Sequence, residues 1–461
     1  MVRDQAYAFL SRLRESKRRL FATGQPVYVS RAPGRLDVMG GIADYAGSHV
    51  LQATIAEAVF CALQLRRDGL IVITTELPDG RELSAQFRVE DIDNAVQGSY
   101  QAVGEHIRRD PSTGWAAYVA GAWAVLRGEG VAHGVLPGAT VFLSSSVPIA
   151  VGVASSAALE VAAMTALVAA LKLAIEPLTL ARLCQIVENK VVGAPCGIMD
   201  QVAVTLGREN RPVVIHCQPA TVLGNLALPE GVLVCGIDSA VEKFTAGDRY
   251  RRARVAAFMG RRILAQAAGA LPADGHLANL LPAEFRALHH LLPRSIRGAD
   301  FLRLYGETGD SVTQVHTDWT YPVRGCTEHP VYENHRTLRF IDHLRAAAEG
   351  DGASVDHALR LAGRIMYASH WSYTYRCGLG HPAVSRIVQL VREAGPERGV
   401  YGAKITGGGG GGTVAILATT AGVDTVRDIA RRYAAESGRE PVVFVGSSPG
   451  AAAHGVSALR V

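Results

Sequence analysis

A loop of small residues that leads into a long helix is the feature that most restricts how this chain can fold. Residues 144–160 read SSSVPIAVGVASSAALE, and the stretch after Gly152 holds no further Gly or Pro until Pro177. The pattern predicts a helix whose unpaired N–H groups and positive dipole end face the loop. Because the loop has little side-chain bulk, a phosphate can approach its backbone, and Ser155 and Ser156 add hydroxyls that suit phosphate oxygens or a hydrated divalent cation. Taken alone, the stretch fits an ordinary capped helix equally well.

The composition is typical of a compact globular enzyme, since 48% of the residues are hydrophobic and 19% are charged. The net charge of +5 is scattered and no basic run exceeds three residues, so nucleic-acid and membrane binding are not expected. The seven cysteines contain no Cys-x-x-Cys pair, which favours reduced thiols over disulfides or structural zinc. No signal peptide is visible and the most apolar stretch is too short for a membrane span, so we expect a cytoplasmic protein.

The order of predicted elements indicates an α+β protein with mixed β-sheets. Strands are predicted over 27–33, 50–67, 70–77, 139–144, 213–217, 231–238, 401–406 and 413–417. Helices are predicted over 5–21, 114–127, 155–172, 177–191, 248–268, 331–349, 353–374 and 381–395, and 273–285 reads as a connecting segment. After Pro212, predicted strands are again followed by predicted helices, as in the first part of the chain. We therefore place a boundary between two lobes near 205–225, which divides the chain into residues 1–215 and 216–461.

Three further stretches place polar residues beside glycines. Residues 30–47 carry Arg35 and Asp44 on a predicted loop after a strand, and residues 188–201 carry Glu188 on a helix and Asp200 just after a Pro-Cys-Gly turn. The third stretch is a run of six glycines, 407–412, between two apolar strands. Flexible linkers are rarely flanked by β-patterned sequence, so this run is expected to pack against the loop within residues 30–47 or to cover a bound phosphate.

Three motifs in order give the chain its resemblance to a known family: RAPGRLDVMGGIADY at 31–45, PIAVGVASSAA at 148–158 and KITGGGGGGTV at 404–414. The chain resembles the GHMP small-molecule kinases, and within them the sugar-1-kinase branch of the galactokinases and L-arabinokinases. GAPCGIMDQ at 193–201 and GIDSAVEKF at 236–244 extend the resemblance. It implies a two-lobed GHMP kinase fold with its active site in the cleft between the lobes.

The resemblance also implies catalytic roles. Asp200 would be the catalytic carboxylate that takes or orients the proton of the sugar's anomeric hydroxyl. Arg35 would stabilise the ionised Asp200 or the developing alkoxide. A solvated helix cap is the alternative for Asp200, and a surface ion pair is the alternative for Arg35.

For the nucleotide, the resemblance implies that the backbone of six residues cradles the β- and γ-phosphates of ATP: Gly152, Val153, Ala154, Ser155, Ser156 and Ala157. Ser156 and Glu188 would hold Mg²⁺, although a glutamate within a helix is usually part of a solvated face. The loop departs from the family's P-x-G-x-G-L-S-S-S at Ala150 and Ala154. Both changes keep the residue small, so we expect activity to survive.

The sugar loop departs more sharply from the galactokinases. They carry a Glu-His pair that faces the exocyclic CH₂OH of the hexose, and Gly41 and Ile42 stand in its place here. The resulting apolar wall would leave a 6-hydroxyl unpaired, at a cost of about 1–3 kcal/mol. L-Arabinopyranose has the ring hydroxyl arrangement of galactose without the CH₂OH. Asp44, Gly197 and Tyr250 are the remaining sugar-binding residues that the resemblance implies.

These features predict an ATP-dependent L-arabinose 1-kinase that yields β-L-arabinose 1-phosphate, with sugar and ATP as its only expected partners. Galactokinase activity, or activity on another sugar such as a uronic acid, is the first alternative. A sugar and ATP sensor without turnover is the second, and the presence of Asp200, Arg35, Ser155 and Ser156 argues against it. The oligomeric state and the nucleoside preference stay open.

Overall fold

Two long neighbouring strands organise the first half of the chain. The structure is a computed structural model that describes residues 2–76, 80–241, 246–268, 271 and 275–460. Its strands are β1 (Pro26–Met39), β2 (His49–Arg66), β3 (Leu70–Glu76), β4 (Glu82–Arg88), β5 (Gly138–Ser145), β6 (Val213–His216), β7 (Thr221–Asn225), β8 (Val232–Asp238), β9 (Ile296–Arg297), β10 (Thr320–Tyr321), β11 (Val400–Ile405), β12 (Thr413–Thr419), β13 (Val443–Phe444) and β14 (Ser457–Arg460).

The helices alternate with these strands and cover the sheets. They are α1 (Val2–Arg14), α2 (Val89–Gly98), α3 (Tyr100–Ile107), α4 (Ala117–Gly128), α5 (Ser155–Ala170), α6 (Pro177–Ile186), α7 (Met199–Leu206), α8 (Ala246–Ala268), α9 (Pro282–Leu288), α10 (Gly298–Tyr305), α11 (Val323–Glu349), α12 (Gly352–Tyr375), α13 (Pro382–Ala394), α14 (Val423–Ser437) and α15 (Ala451–His454). Short turns include a 3₁₀ turn over Gly41–Ala46 and a π-turn over Val187–Val192. Among the residues described, no helix is both long and apolar enough to cross a membrane.

The larger sheet has the strand order β14-β1-β2-β5-β3-β4, and β6 pairs with β2 and β7. Its strands are antiparallel except for the parallel pair of β3 and β5. Strand β2 is buried along most of its length because both faces of the sheet are covered. On one face, Phe9 of α1 stacks against Phe60 and Phe142. On the other face, α5 packs against β1 and β2 and joins the core cluster of Cys61 and Leu143. The chain must bury both faces, which explains its near-continuous apolar strands.

The smaller sheet has the order β11-β12-β8-β13 and is antiparallel. Helices α12, α13 and α14 pack beside it, and the six glycines join β11 to β12. The sheet contacts the first one through β1, where the backbone N–H of Asp37 donates to Thr406 Oγ1 at 2.6 Å. The glycine run therefore lies next to the sugar loop that follows β1.

The predicted α+β class with mixed sheets is confirmed, but local assignments differ. Strand β1 does not end at Pro33; it continues to Met39 through an irregularity between Pro33 and Arg35, because β2 pairs with it across that point. Helix α11 begins at Val323 and contains Pro330, so it starts eight residues before the predicted helix. Strands β4, β7, β9, β10 and β14 were not predicted, and α1 ends at Arg14 although the predicted helix continues to residue 21.

The division of the chain into two lobes stays a prediction. Strand β7 keeps the chain in the larger sheet as far as Asn225, the smaller sheet begins at Val232, and β14 returns to β1. Parts of three predicted segments, residues 77, 242–244 and 273–274, lie outside the described residues.

Candidate active site

Arg35 and Asp200 form an ion pair at the centre of the site. The Arg35 side chain is 2% exposed, and its Nε and Nη2 atoms donate to Asp200 Oδ1 at 2.9 and 2.6 Å. Burial acts to lower the pKa of Arg35, but the negative charges of Asp200 and Asp37 outweigh burial and raise this pKa. Asp200 lies in the first turn of α7 and is 21% exposed, so its carboxylate still reaches the cavity beside it.

Arg35 also binds the loop that precedes α5, residues 148–154, which we call the phosphate loop after its predicted role. Its Nη1 donates to the carbonyl oxygen of Gly152 at 2.7 Å, and its backbone N–H donates to the carbonyl oxygen of Val153 at 2.9 Å. We expected Arg35 on a loop, whereas it lies on β1, where the strand holds both contacts in place. One side chain thus connects the carboxylate to the loop.

The phosphate loop is shaped by backbone geometry. Ala150 and Ala154 adopt the left-handed conformation, with φ of 62° and 60°, where glycine would be unstrained. Helix α5 begins at Ser155, as predicted, and the carbonyl oxygen of Val151 accepts from Thr413 Oγ1 at 2.8 Å. The carbonyls of 151–153 are therefore held by the protein, while the N-terminus of α5 follows directly.

Two buried glutamates lie behind the loop. Gln201 Nε2 donates to Glu188 Oε2 at 2.6 Å and to Glu160 Oε2 at 3.2 Å. Burial, followed by the charge of Asp200, raises the pKa of Glu188 to about 7, although hydrogen bonds from Ser156, Cys196 and Gln201 act to lower it. Burial and the charge of Glu188 also raise the pKa of Glu160.

The predicted metal ligands Ser156 and Glu188 are thus neighbours. Glu188 lies in the π-turn rather than in a regular helix and is 7% exposed, so it is not part of a solvated face. In the described part of the chain, no group of three or more His, Cys, Asp and Glu side chains could hold a metal ion. Mg²⁺ that arrives with a nucleotide needs only one or two protein oxygens, and these two residues fit that requirement. The metal roles themselves stay a prediction.

A cavity of about 180 Å³ lies beside Asp200. It is lined by Arg35, Ile42, Asp44, Glu188, Pro195, Cys196, Gly197, Met199, Asp200, Tyr250 and Gly408. Four of the five predicted sugar-binding residues are in this set; Gly41 is not. The structure brings the predicted residues together, and their roles in binding stay predictions.

Asp44 is, with Glu188, a carboxyl group of the cavity whose pKa is strongly raised. It is 4% exposed and packs so closely on Gly197 that a Cβ atom added there would lie 1.7 Å from Asp44 Oδ2. Burial, followed by the charge of Asp200, raises the pKa of Asp44 to about 7. Among the residues the structure describes, no group hydrogen-bonds Asp44 Oδ1, so this atom has an unmet capacity to accept from a ligand.

Arg254 is a site residue that the sequence pattern did not reveal. Its Nε and Nη2 donate to the two carboxylate oxygens of Asp310 at 2.8 and 2.9 Å, and its Nη1 donates to the carbonyl oxygen of Cys196 at 3.1 Å. It fixes the turn before Asp200 and acts to lower the pKa of Asp44. Helix α8 is rich in arginine, which is typical of a solvated face. Arg254 follows the predicted sugar-binding residue Tyr250 by four residues, so the two side chains share a helix face, and this spacing could have indicated Arg254.

The glycine run closes the cavity on one side. Gly407, Gly409, Gly410, Gly411 and Gly412 all adopt positive φ angles, which explains why this turn carries no larger residue. Gly408 lines the cavity next to Tyr250. The run therefore lies beside residues 30–47, in agreement with the expectation that it packs against that loop. That it covers a bound phosphate stays a prediction.

Comparisons with known proteins agree with this arrangement. Three family models match: the GHMP kinases N terminal domain at residues 117–208, the GHMP kinases C terminal at residues 346–436 and the galactokinase galactose-binding signature at residues 18–65. A galactokinase of Chloroflexus aggregans is 30% identical, and the match covers 91% of both chains. An L-arabinokinase of Arabidopsis thaliana is 36% identical over 96% of this chain, which spans about half the length of that protein, 47%.

Solved structures share the fold. The galactokinase of Lactococcus lactis, complexed with galactose, has a TM-score of 0.74 and 22% identity, and the match covers 98% of this chain and all of that one. The mevalonate kinase of Methanococcus jannaschii has a TM-score of 0.53 and 14% identity, and the match covers 91% of this chain and 98% of that one. The chain therefore belongs to the GHMP kinase family, in the branch that holds the sugar kinases L-arabinokinase and galactokinase.

Proposed function

We propose that this chain transfers the γ-phosphate of ATP to the anomeric hydroxyl of L-arabinose and releases β-L-arabinose 1-phosphate and ADP. The observation that carries the choice of sugar is the apolar side chain of Ile42 in the cavity wall, with no side chain at Gly41. A hexose would place its 6-hydroxyl against this wall without a partner. The similarity to an L-arabinokinase supports the same choice.

The geometry suits in-line phosphoryl transfer. The anomeric oxygen attacks the γ-phosphorus, the bond from phosphorus to the β–γ bridging oxygen breaks, and ADP leaves with that electron pair. The proton of the anomeric hydroxyl passes to the Asp200 carboxylate. Arg35 holds Oδ1 of Asp200 through two N–H groups, which fixes the position of the carboxylate before the transfer.

The phosphate loop would receive the nucleotide. Backbone N–H groups from Gly152 to Ala157 and the dipole of the 16-residue helix α5 favour phosphate oxygens at this end. Ser156 and Glu188 would hold Mg²⁺, which neutralises phosphate charge when it is bound. Glu160 supplies a further buried carboxylate beside Glu188.

The sugar would be oriented by polar groups opposite the apolar wall. Asp44 Oδ1 is free to accept from a ring hydroxyl, and Tyr250 lines the same cavity. A sugar without the 6-hydroxyl group loses no hydrogen bond to positions 41 and 42, because neither position carries a polar side chain. Pentose selection would then rest on an unpaired hexose hydroxyl, worth about 1–3 kcal/mol.

Galactokinase activity is the second candidate. The match to the galactose-binding signature over residues 18–65 favours it. It requires a partner for the 6-hydroxyl that the residues at 41 and 42 do not supply.

Initial rates with ATP on L-arabinose, D-galactose, D-fucose and D-galacturonate test the proposal. We expect kcat/KM for L-arabinose to exceed that for D-galactose by roughly 10-fold or more. D-Fucose keeps the C6 carbon of galactose and lacks the 6-hydroxyl oxygen. A rate on D-fucose near that on arabinose means that the unpaired hydroxyl disfavours galactose, whereas a low rate means that the cavity is too small for the C6 carbon. Equal values for arabinose and galactose would overturn the pentose assignment.

A pair of variants at Ile42 sharpens this test. Ile42→His adds a hydrogen-bonding group and should lower the preference for arabinose, whereas the matched control Ile42→Val keeps the wall apolar and should retain it. The proposal fails if the two variants shift the ratio equally.

A further inference from the structure

Gly41 lies against a buried tyrosine, behind the cavity that Ile42 lines. A Cβ atom added at Gly41 would lie 1.6 Å from Tyr373 Oη, 2.8 Å from Tyr373 Cζ and 2.7 Å from Asp37 Oδ2. The backbone at Gly41 also has a φ of 45°, which side chains rarely adopt. No residue with a side chain fits at this position while Tyr373 stays where it is.

Tyr373 cannot move aside easily. It lies on α12 and is fully buried, its ring meets His329 edge-on with centroids 5.0 Å apart, and Lys404 Nζ lies 5.2 Å from its ring centroid. Lys404 is itself held by a hydrogen-bonded ion pair with Asp37 at 2.6 Å, and both side chains are fully buried. Any displacement of the ring would disturb this packed group.

The Tyr373 hydroxyl also connects the two loops of the site. It accepts a hydrogen bond from the backbone N–H of Ile42 at 2.7 Å and donates to the carbonyl oxygen of Gly407 at 3.3 Å. Ile42 lines the cavity, and Gly407 is followed by Gly408, which lines the cavity from the glycine run. The hydroxyl therefore sets the position of Ile42 relative to the covering loop.

We propose that Tyr373 is a specificity-determining positioning residue: it occupies the space that a side chain at position 41 requires, and it holds Ile42 against the sugar. Tyr373 is not among the residues that line the cavity, so it acts through Gly41 and Ile42 and touches no substrate. The inference rests on the proposed function for the identity of the sugar. The steric exclusion at Gly41 does not depend on which sugar is bound.

A direct consequence concerns conversion to the galactokinase pattern. Gly41→Glu with Ile42→His is not accommodated in this chain, because the new side chain at 41 would overlap the Tyr373 hydroxyl. A side chain at position 41 therefore requires a change at position 373 as well, although the two positions lie far apart in the sequence.

A double-mutant cycle on stability tests the exclusion. The thermal midpoints of the wild type, Gly41→Ala, Tyr373→Phe and the double variant are measured without ligands. We expect the loss caused by Gly41→Ala to be smaller in the Tyr373→Phe background by about 2 °C or more. If Gly41→Ala alone fails to fold, recovery of folded protein in the double variant supports the inference. Additive losses, or failure of both variants, would overturn it.

Kinetics of Tyr373→Phe test the positioning role. Losing the hydrogen bond to Ile42 should lower the ratio of kcat/KM for L-arabinose to that for D-galactose by about 3-fold or more, mainly through KM for arabinose. The matched control is Tyr321→Phe, which removes an equally buried hydroxyl that accepts from the backbone N–H of His316 at 2.8 Å. Equal ratios for both variants and the wild type would overturn the positioning role.

The two readouts separate this inference from the proposed function. If the wild type does not prefer arabinose over galactose, the proposed function fails, and the stability cycle still decides the exclusion at Gly41. If the wild type prefers arabinose and the stability losses are additive, the inference about Tyr373 fails alone.

Discussion

Replacing Asp44 by asparagine should make the protein more stable and more so at high pH, while it weakens sugar binding. In the folded protein, burial and then the charge of Asp200 raise the pKa of Asp44 from 3.8 to about 7. The folded state therefore favours the protonated carboxyl. The stability that this group contributes is fully present below pH 4 and is lost as the pH rises through about 7.

The magnitude follows from these two pKa values. Relative to an unfolded chain in which it titrates normally, the Asp44 carboxyl destabilises the folded state by about 4 kcal/mol at pH 8, where it is held ionised, and by about 1.5 kcal/mol at pH 5, where it is held protonated. Asparagine has nearly the same shape and no charge, so it removes this cost and keeps the contact with Gly197. We expect the free energy of unfolding of Asp44→Asn, relative to the wild type, to rise by about 2.5 kcal/mol between pH 5 and pH 8.

The assay is thermal unfolding of both proteins without ligands at pH 5, 6.5 and 8, together with KM for the sugar. Asp68→Asn is a control of opposite sign, because hydrogen bonds from Arg66 lower the pKa of this exposed carboxyl to about 2. That control should gain nothing as the pH rises. Parallel pH profiles for Asp44→Asn and the wild type would refute the reasoning, and an unchanged KM would remove Asp44 from sugar binding.

Three further changes test the chemistry and the loop. Asp200→Asn should lower kcat by about 100-fold or more with sugar binding largely retained, and near wild-type kcat would exclude Asp200 as the base. Ser156→Ala should raise the Mg²⁺ concentration required for half-maximal activity, and an unchanged titration would place the metal elsewhere. Ala150→Gly should stabilise the protein by about 0.5–1 kcal/mol, because it relieves a left-handed backbone, whereas Ala163→Gly inside α5 should destabilise it. A lower thermal midpoint for Ala150→Gly would contradict the strain argument.

The phosphate loop was predicted correctly as a loop between a strand and a helix, because the residues that indicate it are close together in the sequence. The strand over 139–144 and the helix from 155 correspond to β5 (Gly138–Ser145) and α5 (Ser155–Ala170). A β-branched run, a proline and the absence of Gly and Pro afterwards are all read within one short stretch. The same holds for the glycine run, whose flanking strands β11 and β12 lie where the apolar pattern placed them.

The sequence pattern missed features that depend on contacts between residues far apart in the sequence. Arg35 lies on a strand because β2 pairs across the irregularity at Pro33, although Pro33 and Gly34 read locally as a strand end. Arg254 and Glu160 lie on helices that read as a solvated face and an apolar core, and their hydrogen bonds to Asp310 and Gln201 appear only in the folded chain. Buried polar groups of this kind have no periodic signature.

The three motifs that carried the resemblance are hydrogen-bonded into one unit. Arg35 binds the carbonyl of Gly152, and Thr413 binds the carbonyl of Val151. Both bonds use backbone carbonyls, so they depend on the shape of the phosphate loop more than on its side chains. Ala150 and Ala154 hold that shape in the left-handed region.

This arrangement separates the positions that govern chemistry from those that govern sugar choice. The two alanines depart from the family's usual loop, yet the backbone contacts of Arg35 and Thr413 are intact, so the departure bears little on phosphoryl transfer. Gly41 departs from the galactokinases where a side chain would meet Tyr373, a residue of another helix. A change at Gly41 must therefore be matched at 373, and sugar choice in this chain is expected to vary through that pair.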